Sequence, residues 1–409
     1  MKITFIRPYY MNHWEALGIA NIASYIKKYY YGDLDLSFFD EFFDPTLNII
    51  DDAVKSDIVA FSCTTPTYNR GLMFANLIKK TNPKVKIVFG GWHVTCDENL
   101  DLSYIDQIVF GEGEGSFLDI LQGETSKEVG TIMCEFEKNL WPDRELINQR
   151  RQLDYCEKEF GVRIASFQSR KGCPMSCRMC SERWMSYNWV RVRDSEDTLD
   201  EIEYVNKTYG IEKFKFIDPT WCYPKYAATE FCEAKIRRNN TIPWEAMAHV
   251  SFLTKDIMKL LKESNCMQIN VGVESGDQRI LNEIRKGTTI NQIKRVFEWG
   301  KEIGLDMRGF YILGMPSEDN VSIENTKEII RQTNPSVVGV TIFCPYPGTD
   351  DYDSISDKVI DWEKADEYSN DFWRTEIFTN EELKKIQREF AEEFNEKLPP
   401  HMKEVLDIE

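Results

Sequence analysis

The sequence lacks the features that would place it in a membrane or on a secretory route. It has no run of about 18 apolar residues, the length that a membrane-spanning helix needs. Its N-terminus has neither a long apolar segment nor a small-residue cleavage site, so it does not match a secretory signal. Basic residues are in deficit: 50 Lys and Arg stand against 68 Asp and Glu, a net charge of -18, which argues against a nucleic-acid-binding face. We therefore expect a cytoplasmic protein with no membrane and no nucleic-acid partner.

Disulfide bonds are not expected either. The chain has 11 cysteines, an odd number, and at 409 residues it is too large to need disulfide bonds for a stable core. Several cysteines lie in or beside apolar stretches and are interpreted as buried thiols. These are Cys63, Cys96, Cys134, Cys222, Cys232 and Cys344. Three others, Cys173, Cys177 and Cys180, crowd into eight residues. A reducing compartment is the expected location.

Short apolar runs alternate with amphipathic segments over residues 1–135, which predicts a parallel sheet with helices on both faces. The predicted strands are 2–7, 34–39, 57–62, 85–90, 106–110 and 129–134. The predicted helices are 15–30, 45–54 and 68–80. Such a sheet binds ligands beyond the carboxyl ends of its strands. The sequence therefore predicts a doubly wound, Rossmann-like first domain.

A charged stretch at 136–163 has no clear period and is interpreted as a linker with some helix. A second alternating region at 164–355 predicts a partial (β/α)6 barrel, with its chemistry at the C-terminal ends of the strands. The predicted strands are 164–169, 213–217, 244–247, 267–273, 307–313 and 337–343. The predicted helices are 195–209, 225–239, 254–263, 278–284, 289–303 and 323–332. The last segment, 356–409, is predicted to be mostly helical, with a helix start at Thr379. The fold class is α/β.

The sharpest motif is RKGCPMSCRMC at 170–180, directly after the first strand of the second region. Soft thiolate ligands favour zinc, Cu(I) or an iron–sulfur cluster. Structural zinc and ordinary clusters take four protein ligands, and no fourth Cys or His follows nearby. Three ligands indicate a metal centre with one open coordination position, which is typical of catalytic metal sites. The alternatives are a zinc site whose fourth ligand is distant and three incidental cysteines.

The CxxxCxxC spacing resembles that of the radical S-adenosylmethionine enzymes. The resemblance implies that Cys173, Cys177 and Cys180 bind a [4Fe-4S] cluster. It also implies that S-adenosylmethionine chelates the fourth iron and is cleaved to a 5′-deoxyadenosyl radical by one electron from a flavodoxin or ferredoxin type of donor.

Later segments resemble the same family in the same order. They are 187–193 (YNWVRVR), 214–221 (FKFIDPTW), 244–249 (WEAMAH), 271–276 (VGVESG) with Lys286-Gly287, 309–316 (GFYILGMP) and 343–349 (FCPYPGT). Two positions depart from the pattern: Pro219 replaces an Asp, and His249 stands where Arg is common. The resemblance implies cofactor contacts from Glu274, Ser275 and Asp218. It also implies that Arg308 or Arg191 pairs with the carboxylate of S-adenosylmethionine. Ordinary packing is the alternative for each of these side chains.

Two glycine-rich loops follow strands of the first region, FGGWHVT at 89–95 and VFGEGEG at 109–115. Their glycines allow close approach of the backbone to a ligand, but the spacing does not match a nicotinamide site. Together with Leu17-Gly18 they resemble the cobalamin-binding domain that precedes many radical S-adenosylmethionine enzymes. The resemblance implies cobalamin contacts from Gly90, Gly91, His93, Thr95, Gly111, Glu112 and Gly113. A domain that has lost cobalamin is the alternative.

One departure concerns the lower cobalt ligand. Cobalamin domains that supply a histidine carry D-x-H-x-x-G after the first strand, and the corresponding loop here reads MNHWEA at 11–16. His13 is present without the Asp and the Gly, so it is interpreted as a loop histidine.

The two resemblances imply a cobalamin-dependent methyltransferase that methylates an unactivated carbon of a small molecule, a peptide or a protein. The alternative is a radical enzyme for rearrangement, cyclisation or methylthiolation. Methylthiolation would need a second cluster, for which Cys63, Cys96 and Cys134 are poorly placed. A non-enzymatic cobalamin or cluster sensor is a further alternative.

Overall fold

The computed structural model describes residues 1–11, 13–130, 133–352, 362–364, 366 and 370–394. The chain divides into two compact units. The first contains residues 1–163 with 184–187 and the described residues 362–363, and the second contains 164–183 and 188–352 with the remaining described residues. None of the described helices is long and apolar enough to span a bilayer. The segment boundaries that we predicted near 135, 163 and 355 stay predictions.

The first unit contains a sheet of six parallel strands. They are β1 (Lys2–Arg7), β2 (Asp35–Asp40), β3 (Ile58–Ser62), β4 (Lys86–Gly90), β5 (Gln107–Val109) and β6 (Glu128–Val129). Their order is β2-β1-β3-β4-β5-β6. The chain runs outward from β1 to β2 and then crosses back to β3, so the order reverses between β1 and β3. Ligands of doubly wound sheets bind beyond the carboxyl ends at such a switch point.

Six α-helices accompany this sheet among the described residues. They are α1 (Leu17–Tyr29), α2 (Thr46–Ala53), α3 (Tyr68–Thr81), α4 (Trp92–Cys96), α5 (Gly113–Leu121) and α6 (Gln149–Phe160). Helix α1 forms because its apolar residues recur every three to four positions, and it buries Leu17, Ala20 and Ala23 against the sheet. It packs closely on α5, because a Cβ on Gly113 would lie 2.5 Å from Cδ1 of Ile22.

The described residues of the second unit form eight strands. They are β7 (Ile164–Phe167), β8 (Arg170–Lys171), β9 (Arg191–Val192), β10 (Lys213–Phe216), β11 (Trp244–Ala248), β12 (Cys266–Glu274), β13 (Asp306–Leu313) and β14 (Val337–Ile342). Six of them form a parallel sheet in the order β14-β13-β12-β11-β10-β7, and β8 pairs with β9 in a small antiparallel sheet. Within the large sheet, each strand therefore lies beside the strand of that sheet that precedes it in the sequence, as in a partial (β/α) barrel. The predicted α/β fold class is confirmed for both units.

Eight α-helices lie among the described residues that follow position 163. They are α7 (Glu182–Ser186), α8 (Ser195–Tyr209), α9 (Lys225–Arg237), α10 (Lys255–Glu263), α11 (Gln278–Glu283), α12 (Ile290–Ile303), α13 (Asn320–Thr333) and α14 (Asn380–Phe394). Side-chain caps define several of their starts: Asp194 accepts the amide hydrogen of Asp197, and Thr289 forms a capping box with Gln292. The predicted start at Thr379 also has a reciprocal cap, since Thr379 and Glu382 each accept the other's amide hydrogen.

Strand β13 shows how the large sheet is covered. Met307, Gly309, Tyr311 and Leu313 are buried on one face, whereas the alternating Arg308, Phe310 and Ile312 are half-buried on the other. The pleat sends successive side chains to opposite faces, so the helices cover the first set and leave the second set partly open.

Candidate active site

The cysteine loop follows the small β8 strand and precedes α7. Cys177 is buried, Cys173 is half-buried and Cys180 is exposed, and all three are free thiols. The amide of Cys180 donates to the carbonyl oxygen of Cys177 at 3.2 Å, which turns the chain back between them. Burial raises the pKa of the Cys173 thiol to about 11, so a bound metal is needed to favour the thiolate here.

The spacing of the thiols suits a cluster better than a single ion. Among the described residues, one group of three potential ligand atoms lies within 4.8 Å of one another, and it consists of Glu112, Glu114 and Cys134 rather than the cysteines of the loop. In an iron–sulfur cluster each thiolate binds a different iron, so wider spacing is expected. The donor set fits a [4Fe-4S] cluster with one iron open to another ligand.

Backbone and ionic contacts fix the cysteine loop to the loops after β12 and β14. The amide of Arg178 donates to the carbonyl oxygen of Ile284 at 2.9 Å, and the amide of Asp350 donates to the carbonyl oxygen of Arg178 at 3.2 Å. The Arg178 guanidinium binds both carboxylate oxygens of Asp351. Arg183 also forms an ion pair with Asp350. Strand ends that are distant in the sequence thus hold the loop from several sides.

Strand β12 ends at Glu274, which sequence analysis selected as a cofactor contact. Its φ of 68° lies in the left-handed region, and the pairing with β13 shifts register there. A non-glycine residue in this conformation is strained and often marks a functional position. The carboxylate of Glu274 accepts a hydrogen bond from the ammonium of Lys286 at 2.6 Å, and both residues are largely buried.

The predicted contact Ser275 is fully buried in the turn that follows. Its hydroxyl accepts the amide hydrogen of Asp277 at 3.1 Å and lies 3.4 Å from the hydroxyl of Thr326. Gly276 is required beside it, because a Cβ there would lie 2.3 Å from the carbonyl oxygen of Asn325. Ser275 therefore shapes the turn that presents Glu274.

Asp218 follows β10 and is completely buried. Its two oxygens accept hydrogen bonds from the amide and the hydroxyl of Ser169 at 2.9 and 2.7 Å. Burial raises the pKa of Asp218 to about 6, and the charge of Arg170, 3.8 Å away, opposes this rise. Arg170 also lies over the ring of Trp221 at 4.3 Å. The structure thus places Asp218 in a buried network immediately before the cysteine loop.

The two arginines proposed for the carboxylate of S-adenosylmethionine lie in different sheets, Arg191 in the small antiparallel sheet and Arg308 in the large parallel sheet. Arg191 pairs with Lys171 across the small sheet, next to the cysteine loop, and its guanidinium lies 5.3 Å from the ring centre of Trp189. Arg308 lies near the beginning of β13, five residues before its end at Leu313. At about 3.3 Å per residue, that places Arg308 roughly 16 Å below the strand end. The pairing of β8 with β9 places Arg191 next to the cysteine loop, and the choice between the two arginines stays a prediction.

The loop after β11 places His249 beside this site. Its Nε2 lies 2.8 Å from the carbonyl oxygen of Lys286, and its Nδ1 accepts the amide hydrogen of Ser251. Burial, and then the charge of Lys286, lowers the pKa of His249 to about 4. His249 is neutral at pH 7 and supports the backbone of Lys286.

The glycine-rich loops of the first unit lie at the carboxyl ends of β4 and β5. Gly91 has a φ of 100°, and a Cβ there would lie 2.6 Å from the carbonyl oxygen of Cys63. Thr95 joins the two loops, because its hydroxyl donates to the carbonyl oxygen of Gly91 and accepts the amide hydrogen of Gly111, both at 2.9 Å. Gly90 closes β4, and a Cβ there would meet Val109 only at ordinary contact distance.

Glu112 is the residue before α5 and is buried, with a carboxylate oxygen that accepts the amide hydrogen of Cys134 at 2.8 Å. Gly113 begins α5 and allows its contact with α1. These two predicted cobalamin contacts thus anchor the loop after β5.

His93 is buried in α4 at the same edge of the sheet. Its ring lies 4.2 Å from that of Tyr68 and 5.9 Å from that of Trp362, and Nε2 lies 3.5 Å from the carboxylate of Asp97. Burial lowers the pKa of His93 to about 4, and the charge of Asp97 opposes this. His93 is therefore a neutral hydrogen-bonding residue.

His13 lies among Phe42, Phe43 and Tyr155. Its Nδ1 is 2.7 Å from the guanidinium of Arg7, and its Nε2 hydrogen-bonds to Gln152. Both ring nitrogens have protein partners, which agrees with its interpretation as a loop histidine.

The polar residues at the end of β3 were not among the site residues predicted from the sequence. Ser62 and Thr64 are exposed there, beside the switch point between β1 and β3. The sequence pattern that indicates a site here is a pair of hydroxyl residues next to the end of a predicted strand. Together with the two glycine loops, this edge provides hydrogen-bonding groups and close backbone approach, which suit a large polar cofactor such as cobalamin.

Known families match both units. Residues 8–121 match the B12 binding domain, and residues 169–330 match the Radical SAM superfamily. The chain is 26% identical over 408 residues to the anaerobic magnesium-protoporphyrin IX monomethyl ester cyclase of Rubrivivax gelatinosus, a match that covers 89% of this chain and 72% of that protein. It is 28% identical over 367 residues to an uncharacterized methyltransferase of Pyrococcus horikoshii, covering 81% and 76%.

A solved structure shares the fold. The radical S-adenosylmethionine methyltransferase TsrM from Kitasatospora setae, with cobalamin and a [4Fe-4S] cluster bound, superimposes with a TM-score of 0.71 at 15% identity and covers 85% of this chain and 76% of that one. The chain therefore belongs to the radical S-adenosylmethionine enzymes that carry an N-terminal cobalamin-binding domain, and its cofactors are a [4Fe-4S] cluster, S-adenosylmethionine and cobalamin.

Proposed function

We propose that this chain is a methyltransferase that transfers a methyl group to an unactivated carbon atom. The observation that carries the proposal is that one chain contains both a B12 binding domain and a partial (β/α) barrel with the three-cysteine loop. When bound, the cluster and S-adenosylmethionine supply a hydrogen-abstracting radical, and cobalamin supplies a transferable methyl group. The methyltransferase among the similar proteins supports this assignment.

The residues of the chain have separate tasks in this proposal. Cys173, Cys177 and Cys180 bind three irons and leave the fourth open. Glu274 and Arg191 contact S-adenosylmethionine. We assign Glu274 because it has a strained backbone conformation at the end of β12, and Arg191 because it lies beside the cysteine loop. Ser275 acts by fixing the turn that follows Glu274.

Asp218 and Arg308 have less direct roles. Asp218 holds the segment before the cysteine loop through Ser169. Arg308 lies on the half-buried face of β13, where a substrate inside the partial barrel would meet it.

In the first unit, the two glycine loops contact cobalamin. They contribute Gly90, Gly91, His93, Thr95, Gly111, Glu112 and Gly113.

Substitution of the buried cysteine tests the cluster. After anaerobic reconstitution we expect about four irons per chain in the wild type. Cys177→Ser should lose the cluster and the formation of 5′-deoxyadenosine. Cys156→Ser, which changes a half-buried cysteine on α6, is the matched control and should keep both. A Cys177→Ser protein that retains a four-iron centre would contradict the ligand assignment.

Labelled cofactor tests methyl transfer. The reconstituted protein with cobalamin, a one-electron reductant and CD3-labelled S-adenosylmethionine is incubated with metabolite and protein fractions of the source organism. We expect a CD3-labelled product together with both 5′-deoxyadenosine and S-adenosylhomocysteine. Formation of 5′-deoxyadenosine that depends on an added fraction, without S-adenosylhomocysteine and without a labelled product, would overturn methylation.

A non-methylating cyclisation is the second candidate, because the similar cyclase aligns over 89% of this chain. The same labelled experiment separates the two candidates, since a cyclisation consumes S-adenosylmethionine without transferring its methyl group. Methylthiolation is distinguished by the iron content, because a second cluster would double it.

A further inference from the structure

A buried ammonium group lies against the cysteine loop. Lys286 is 6% exposed, and its Nζ donates to Glu274 at 2.6 Å. Among the described residues, this is its one hydrogen bond, so two of its three N–H groups have no acceptor there. Burying an ammonium is costly unless other negative groups face it. The neighbouring cysteine loop provides such groups once its thiols are ionised.

The electrostatic contacts of Lys286 extend to all three cysteines. Its charge interacts with the thiols of Cys173, Cys177 and Cys180. At Cys177 its effect is larger than the opposing effect of Glu274. The ion pair with Glu274 therefore does not cancel the effect of the positive charge at Cys177.

The backbone holds Lys286 in this position. Its amide donates to the carbonyl oxygen of Leu281 at 3.0 Å, and its own carbonyl oxygen lies 2.8 Å from Nε2 of His249. The next residue, Gly287, has a φ of 69°. It lies close to the cysteine loop, because a Cβ on Gly287 would be 3.1 Å from the methyl carbon of Met175. A rigid support keeps the charge at a fixed distance from the loop.

A fixed positive charge affects the redox equilibrium of a bound cluster. Reduction takes one electron from an external donor of the flavodoxin or ferredoxin type, so the reduced centre carries one more negative charge than the oxidised centre. A nearby cation in a medium of low polarity stabilises the more negative state. Charge and burial around a cluster are among the factors that set its reduction potential.

We propose that Lys286 is a positioning residue whose buried ammonium raises the reduction potential of the cluster held by Cys173, Cys177 and Cys180. This inference rests on the proposed cluster ligands. It makes the electron transfer that begins the reaction easier for a donor of ordinary potential, and it assigns to the Lys286–Glu274 pair a role in addition to cofactor contact.

The test is the midpoint potential of the reconstituted protein, measured by EPR during a potentiometric titration with dithionite. Lys286→Met keeps an unbranched side chain that is one atom shorter and removes the charge, and we expect a full complement of iron and a more negative midpoint. Lys286→Arg should restore a midpoint near that of the wild type. Lys255→Met removes an exposed lysine paired with Glu302 on α12 and should leave the midpoint unchanged.

An unchanged midpoint in a fully loaded Lys286→Met protein would overturn the inference. If Lys286→Met does not hold the cluster, the midpoint potential of Glu274→Gln tests the inference instead, because this variant leaves the ammonium of Lys286 without its counter-charge. A more positive midpoint in Glu274→Gln then supports the role of Lys286, and no change contradicts it. A wild type that binds no four-iron cluster would instead contradict the proposed function, so the two failures are distinguishable.

Discussion

Glu318 is a buried carboxyl group that supports the turn after β13. It is 1% exposed, one oxygen accepts the amide hydrogen of Gly314, and the other has no hydrogen-bond partner in the part of the chain that the structure describes. Burial raises the pKa of Glu318 to about 8, although the amides of Gly314 and Met315 oppose this. The folded protein therefore favours the protonated acid at pH 7. The sequence indicated a turn here but gave no sign that its glutamate is buried.

This shift predicts a pH-dependent contribution to stability. The folded pKa lies above the ordinary value of 4.5, so the folded state binds more protons than the unfolded state between these two values, and stability decreases as the pH rises through that range. We expect Glu318→Gln, which stays neutral, to gain on the order of 2 kcal/mol relative to the wild type between pH 6 and pH 9. Urea unfolding at both pH values measures the difference.

The exposed Glu328 on α13 provides the control for this experiment. Glu328→Gln should follow the pH dependence of the wild type. Parallel curves for the wild type and Glu318→Gln would show that Glu318 is ionised in the folded protein.

At the scale of elements, the packing of α13 against the end of β12 determines the shape of the site. The amide of Gly276 donates to the hydroxyl of Thr326 at 2.9 Å, and the helix backbone leaves no room for a side chain at this glycine. The G-x-E-S-G pattern indicated a ligand-binding turn. It did not reveal that its last glycine is required by a helix about 50 residues further along the chain.

Gly276→Ala should therefore disturb the turn that presents Glu274. The new methyl group would lie 2.3 Å from the carbonyl oxygen of Asn325, so the backbone must move. We expect a loss of roughly 1–3 kcal/mol in unfolding free energy and reduced formation of 5′-deoxyadenosine. Denaturant unfolding and product analysis of the reconstituted protein measure these effects.

Gly18→Ala is the matched control. Gly18 lies in α1, and no atom of the described residues lies within 4 Å of a Cβ built there. Because alanine favours a helix more than glycine, this variant should be more stable by about 0.5–1 kcal/mol. Equal stability of Gly276→Ala and the wild type would show that the turn can adjust without cost.

At the scale of the whole molecule, each compact unit has a parallel sheet of its own. The first unit buries a continuous apolar cluster that includes Ile6, Val59 and Phe89, three residues on neighbouring strands. Two such cores can unfold in separate steps.

A cofactor that binds one unit should therefore stabilise that unit selectively. We expect calorimetry of the reconstituted protein to show two transitions, and hydroxocobalamin at 100 times its Kd to stabilise one of them by about 2.7 kcal/mol. The selective shift belongs to the first unit, where the B12 binding domain lies. Absence of any shift at saturating hydroxocobalamin would show that this unit has lost its ligand.

Local patterns predicted most of the elements. The predicted strand 2–7 and helix 195–209 match β1 and α8 residue for residue, because an apolar run and a 3.6-residue period are properties of neighbouring residues. The predicted strand 129–134 was too long, since pairing is limited to Glu128–Val129 and residues 131–132 lie outside the described part of the chain. Helices α4 and α5 were missed because they are short and begin at glycine-rich loops.

The sequence alone determined the α/β class, the two ligand-binding edges and the three candidate cluster ligands, because the alternation of strands and helices, the turn glycines and the cysteine spacing are local patterns. Only the tertiary structure decided which distant side chains meet there. It placed Lys286 within electrostatic range of the cysteine loop, Arg308 near the beginning of β13, and Asp218 in a buried contact with Ser169. These outcomes depend on which parallel strands lie side by side and how far along each strand a residue lies, and neither quantity is encoded in the spacing of neighbouring residues.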